Sequence, residues 1–219
     1  MLFRSRDFAP VTIVVYGVGY LLLVHPSVTA ANVRDFIALA KNPNSRMTFG
    51  SGGIGNNLHL AGELFNMRTG ARLTHVPYKG GAPAVNALIA GEIQSLFVPP
   101  TPTVLQQLKT GRLKALAFTG AARWALLPEV PTLVESGLND FVYSGAWHGW
   151  LAPARTPKEI IARLQAETQK AMQEPKVREP LIAAGYEPVG SSTADFARAI
   201  RSDSQKTAEV MRAAGVKRE

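Results

Sequence analysis

The sequence predicts an α/β protein with largely parallel strands. Short runs rich in β-branched and apolar residues alternate with stretches of helical periodicity, and glycine or proline punctuates the changes between them. From Pro128 onward this alternation gives way to a mainly helical C-terminal third.

Val11–Tyr16 and Tyr20–Val24 read as two buried strands meeting at a glycine turn. Together they are apolar enough to suggest a membrane span, but the run is too short, follows Pro10 and is broken by Gly17 and Gly19. Val33, Phe36, Ile37 and Ala40 recur at helical spacing, with Pro43 just beyond. Met47–Gly50 is the next strand. Leu58, Ala61, Leu64 and Phe65 form a second helical face that Gly70 can end. Leu73–Val76 is a strand, Ala82–Ala90 a helix closed by Gly91, and Ile93–Val98 a strand. Thr103–Lys109 is a helix closed by Gly111, and Leu113–Thr119 is the sixth strand. Leu127–Leu138 is proline-punctuated with a short amphipathic helix, and Tyr143–Pro153, with Trp147 and Trp150, reads as a strand or crossing segment. Thr156-Pro157-Lys158-Glu159 predicts a helix start, with Thr156 as cap, Pro157 in the first turn and Glu159 reaching back. That helix runs to about Gln173. Pro175–Ala184 follows, ended by Gly185, and a last helix opened by Ser192 runs to about Ala214.

A chain of 219 residues suits one large or two modest domains. Its 46% hydrophobic content supplies a sizeable core. The net charge of +8 suits an anionic partner: nucleic acid, an anionic membrane or a small acid. Much of that charge lies on helix-like stretches such as Lys176–Arg178 and Lys217–Arg218, where it serves equally as a solvated face. Basic residues are not interleaved with aromatics in a nucleic-acid motif, so no nucleic-acid partner is expected. With no cysteine, disulfides, thiolate metal sites and cysteine nucleophiles are excluded.

The most informative local feature is Thr48–Leu60 (TFGSGGIGNNLHL), a strand running into a glycine-rich turn that opens a helix. Gly50, Gly52 and Gly55 match G-x-G-x-x-G. Glycine lets backbone approach an anion, and the first amides of the helix point at it. Gly53 and Ile54 lie within the turn, and Ser51, Asn56 and Asn57 add uncharged donors suited to reversible capture of a carboxylate. A dinucleotide site needs an acidic residue about twenty positions on, and Met67–Val76 contains none. An ordinary tight strand–helix turn remains open beside both readings. A second loop, Val76–Pro83 (VPYKGGAP), places Tyr78 and Lys79 just past a strand end, where open α/β sheets bind ligands. His25, His59, His75 and His148 are scattered without a metal-binding motif, and His59 and His75 read as structural. Ser51 is not in G-x-S-x-G. Neither a catalytic residue, a metal site nor a cofactor is expected.

Taken in order, several stretches resemble the Bug-type solute-binding proteins of tripartite tricarboxylate transporters. They are Arg6–Thr12 (RDFAPVT), Leu22–Ser27 (LLVHPS), Phe49–Glu63 (FGSGGIGNNLHLAGE), His75–Pro83 (HVPYKGGAP), Leu88–Glu92 (LIAGE), Leu127–Gly137 (LPEVPTLVESG), Gly149–Pro157 (GWLAPARTP) and Gly185–Gly190 (GYEPVG). Each is a weak word alone; the ordered set is specific. The resemblance implies a type II periplasmic-binding-protein fold, two α/β domains joined by crossing strands, with ligand in the cleft and a membrane permease as partner. It implies a remnant of the first domain with the first crossing strand over 1–24 and a second, ligand-binding domain over 25–142. The second crossing strand and the C-terminal helices of the first domain then occupy 143–219. The implied ligand residues are Ser51, Gly53, Ile54, Gly55, Asn56, Asn57, Tyr78, Lys79, Val98 and Trp147.

The chain departs from the family pattern twice. Family members begin with a signal peptide and a strand–loop that holds one ligand carboxylate, whereas Met1–Ser5 does not read like family sequence. The first domain is therefore expected to be incomplete, with exposed apolar surface where its missing strands would pack. Members that grip an amino acid carry aspartate after the phenylalanine matching Phe97; Val98 here favours a ligand without an amine. The expectation is a periplasmic protein, monomeric when complete, that captures a small carboxylate and performs no reaction. The rivals are a nicotinamide-dependent oxidoreductase using the glycine turn and a carboxylate sensor without transport.

Overall fold

The computed structural model describes residues 7–213, 215 and 216. The readings of Met1–Ser5, of Lys217–Arg218 and of a helix end at Ala214 fall outside these residues. In chain order the elements are β1 Phe8–Gly17, β2 Leu21–Val24, α1 Val33–Lys41, β3 Thr48–Ser51, α2 Asn57–Thr69, β4 Thr74–Pro77, α3 Gly81–Ile89 and β5 Ser95–Val98. There follow α4 Pro102–Lys109, β6 Lys114–Phe118, β7 Trp147–Pro153, α5 Lys158–Ala171, α6 Pro175–Ala183, β8 Tyr186–Pro188 and α7 Thr193–Ala213. The chain divides into two compact units, one from residues up to Gly17 with Ala146–Thr207, the other from Val18–Gly145 with the residues from Ala208 on.

The larger unit is built on a five-stranded sheet of order β4-β3-β5-β2-β6. β3 pairs parallel with β4 and β5, whereas β2 runs antiparallel to both β5 and β6. Four strands thus point one way, and β2 alone is reversed although α1 connects it to β3. β1 and β2 meet at the glycine-bearing segment Gly17–Gly19, but each is hydrogen-bonded into a different sheet, and β2 lies in the larger unit. β2 is the four-residue run Leu-Leu-Leu-Val, all buried, because both sheet faces are covered. Leu22 and Val24 enter a cluster with Phe36 of α1, Phe65 of α2 and Phe97. Leu21 and Leu23 enter the opposite cluster, with Leu88 of α3 and Val104 of α4. Among the described residues no helix is long and apolar enough to cross a membrane.

The smaller unit has a three-stranded antiparallel sheet, β7-β1-β8. Its β1 is irregular beside Pro10, with register shifts at Pro10/Thr12 and Ile13/Val15. Buried Thr12 donates its hydroxyl to Ser191 O at 2.7 Å, and Thr193 donates to Val11 O at 2.8 Å, which fastens the start of α7 to this strand. Ser192 opens α7 as expected: its hydroxyl accepts from Asp195 N–H at 3.0 Å and donates to the Asp195 carboxylate at 2.6 Å. The capping box expected at Thr156 is not made. Pro157 occupies the cap position without a side-chain bond, and the Thr156 N–H instead closes a turn onto Pro153 O at 3.0 Å. Trp150 and Leu151 on β7, an outer strand, and Ile160 and Leu164 on α5 are exposed, as are Ile54, Met67, Leu126 and Val142 in the larger unit.

Candidate ligand-binding site

β3 ends at Ser51, and after five intervening residues α2 begins at Asn57. Asn56 is the N-cap in extended conformation, its side-chain oxygen accepting from His59 N–H at 3.0 Å. Between them Gly53 (φ 129°) and Gly55 (φ 79°) adopt backbone that side-chain-bearing residues rarely take. Gly52 is needed for a different reason: a Cβ there would lie 3.0 Å from the backbone carbon of Gly80. The two glycine-bearing loops are zipped by backbone bonds, Tyr78 N–H to Ser51 O at 2.9 Å and Gly80 N–H to Gly52 O at 3.1 Å.

Because β3, β4 and β5 run in parallel, Ser51–Asn57, Tyr78–Lys79 and Val98 all lie at the carboxyl ends of adjacent strands. Nine of the ten expected ligand residues therefore fall at one sheet end of one unit. The tenth, Trp147, belongs to the other unit, where its indole N–H donates to Asp203 at 2.7 Å and its ring packs edge-on against Phe196.

The tip of the turn is open. Ile54 is 67% exposed and Gly55 is exposed, whereas Ser51 is fully buried. Among the described residues the N–H groups of Ile54, Asn57 and Leu58 find no acceptor, while those of Gly53 and Gly55 are taken by Ser51 Oγ (3.1 Å) and His59 Nδ1 (3.0 Å). The Ser51 side chain turns inward. Its hydroxyl lies 2.6 Å from His75 Nε2 and also serves Gly53. α2 carries no acidic side chain in its first turn, so nothing of its own neutralises the positive end of the helix dipole. Lys79 is exposed beside it. Burial, and to a smaller extent Glu92, pushes the Tyr78 phenol up, so this hydroxyl is a neutral donor at physiological pH.

Sequence reasoning missed how closely His59 and His75 underlie this loop. Burial holds both imidazoles neutral, His75 lowered to about 4 by burial and then by the neighbouring His59 charge. The available signal was positional: His59 four residues after Gly55, and His75 on the strand whose following loop carries Tyr78. Among the described residues no group of three or more His, Asp or Glu could hold a metal ion.

Comparison with known proteins gives a consistent picture. Residues 1–216 match the model of the tripartite tricarboxylate transporter family receptor (TctC). The chain is 35% identical over 214 residues to the protein BugT of Bordetella pertussis, covering 98% of this chain and 63% of BugT. It thus spans less than two thirds of that relative's length. Among solved structures it is similar to R. palustris Rpa4515 with adipate, with a TM-score of 0.85 and 32% identity over 95% of this chain and 69% of that one. It is also similar to the periplasmic binding protein BugD, with a TM-score of 0.82 and 30% identity over 97% of this chain and 71% of that one.

Proposed function

The chain belongs to the tripartite tricarboxylate transporter receptor family, and on that premise we propose that it captures a small carboxylate outside the cytoplasm for a membrane permease. The observation that carries this is the open turn at the start of α2. Ile54, Asn57 and Leu58 offer N–H groups without acceptors at the positive end of a helix, next to Tyr78 and Lys79. Hydrogen bonds to a charged group contribute about 1.5–3 kcal/mol each, so two or three hold a carboxylate reversibly. A permanently bound ion would need more.

The proposed contacts are the backbone of Gly53–Asn57, the Asn56 and Asn57 amides, Tyr78 and Lys79, with Ser51 acting from beneath. Val98, buried at the end of β5, supplies no carboxylate at the position where family members that grip an amino acid carry aspartate. This favours an aliphatic acid without an amine. Rpa4515, in its adipate-bound structure, supports the same ligand class. The periplasm is the location this reading assigns, by similarity to BugD, and permease subunits are the assigned partners. A nicotinamide-dependent oxidoreductase is not favoured, because the family is one of transporter receptors.

Thermal denaturation in the presence of ligand tests the class. Adipate at about a hundredfold excess over its Kd stabilises a one-site receptor by about 2.7 kcal/mol, and a rise in Tm of several degrees is expected. NAD is expected to leave Tm unchanged. Stabilisation by NAD and not by adipate, succinate or malate overturns the proposal.

A further inference from the structure

Two side chains outside the proposed contact set hold the glycine turn from beneath. His59 lies on the first turn of α2 and is 2% exposed; His75 lies on β4. Their rings are stacked, with centroids 3.7 Å apart and planes 12° from parallel. Phe49 packs against both, at 6.2 Å from His59 and 5.0 Å from His75. Each ring supports a different part of the turn. The Gly55 N–H donates to His59 Nδ1 at 3.0 Å, so Nδ1 carries a lone pair and the proton of the neutral ring sits on Nε2, which faces Glu63 at 3.5 Å. His75 Nε2 lies 2.6 Å from Ser51 Oγ, and Ser51 Oγ lies 3.1 Å from both the N–H and the carbonyl oxygen of Gly53. One proton arrangement satisfies every partner. His75 Nε2–H and Gly53 N–H donate to the hydroxyl, and the hydroxyl donates to Gly53 O.

We propose that His59 and His75 are positioning residues that act together as a proton-sensitive prop: the neutral stacked pair holds the Ser51–Asn57 turn in its anion-receiving shape, and protonation of the pair releases that shape. The consequence for ligand rests on the function proposed above; the dependence of the turn on the pair does not. An imidazolium has no lone pair, so protonating His59 removes the acceptor that fixes Gly55. Two cationic rings at this spacing also repel by about 4 kcal/mol at the effective dielectric of a protein surface. Among the described residues, the titratable groups in contact with the pair are the two rings themselves and Glu63. Burial raises Glu63, opposed by its hydrogen bond with Asn66. The resulting sign is distinctive. A cationic histidine near an anion site ordinarily strengthens binding in acid, whereas a prop that fails on protonation weakens it.

The test is NMR of the full chain without ligand, from about pH 8 to pH 4. The Gly53 and Gly55 amide signals are expected to titrate together with the His59 and His75 ring signals, with a midpoint below the ordinary histidine value of about 6.5. In the His59→Asn chain, which keeps an acceptor near the Nδ1 position and cannot be protonated, the Gly55 amide is expected to stay fixed across the range. His75→Gln gives the corresponding reading at Gly53 if the first variant does not fold. Amides that stay still while the wild-type rings titrate, or a Gly55 amide that titrates equally in His59→Asn, overturn the proposal. In a second measurement, adipate affinity is expected to fall more steeply between pH 7.5 and 4 in the wild type than in His59→Asn, which reports the ligand's own titration. Stronger wild-type binding in acid overturns the prop. Absence of adipate binding at every pH counts against the proposed function and leaves the amide titration to decide the prop.

Discussion

At the scale of the residue, the stacked imidazoles tie the site to pH through stability as well as shape. His75 is held at about 4, below the ordinary histidine value of about 6.5. Between those values the unfolded chain binds a proton that the folded chain does not. Stability is therefore full above pH 6.5, falls as pH drops through that window, and levels off once the folded protein also binds the proton. Partial exposure of His75 reduces the effect, which is expected to be on the order of 1–2 kcal/mol. Urea unfolding at pH 7.5 and pH 4.5 measures it, with His75→Gln as the control; a wild type with no greater loss than the variant contradicts the assignment. This part of the site was only half legible in the sequence. The histidines were visible as structural, but their stacking depends on the lateral pairing of β3 with β4, which brings His75 opposite Phe49 and next to α2. No local pattern encodes that pairing.

At the scale of the element, β2 joins the sequence to the core of the larger unit. Its residues alternate between the two clusters, and Leu22 is fully buried among aromatic side chains of α1, α2 and β5. Leu22→Ala is expected to cost about 2–5 kcal/mol through lost burial and a residual cavity, whereas Leu22→Met is expected to cost less than about 1.5 kcal/mol. Denaturant midpoints of the two variants check the contrast, and equal losses contradict the packing described. The existence of β2 was readable from its apolar run. Its reversed direction was not, because α1 separates β2 from β3 just as α2 separates the parallel pair β3 and β4, yet β2 runs antiparallel to β5 and β6. The cap of α5 failed for a similar reason: Thr156 and Glu159 have the right spacing, but the Thr156 N–H is drawn into the turn that leaves β7. The side chains of Asn56 and Ser192 do form their caps, Asn56 even though its own N–H closes a turn onto Gly53 O.

At the scale of the whole molecule, separate sequence words fold to one place. FGSGGIGNN and VPYKGG lie apart in sequence, yet parallel β3 and β4 deliver both to the same sheet end, and backbone bonds join them there. The alternation of strands and helices predicted this much, since parallel strands bring their following loops together. The sequence could not show which amides stay open. Ser51 Oγ and His59 Nδ1 occupy two and Gly53 O a third, whereas those of Ile54, Asn57 and Leu58 are among the ones that stay open.

The central claim is that these three amides receive a carboxylate, and a ¹⁵N-resolved NMR titration of the full chain with adipate tests it directly. The signals of Ile54, Asn57 and Leu58 are expected to shift together and saturate with one Kd, with Tyr78 and Lys79 following. Saturable shifts confined to other parts of the chain, with these three amides unmoved, would contradict it.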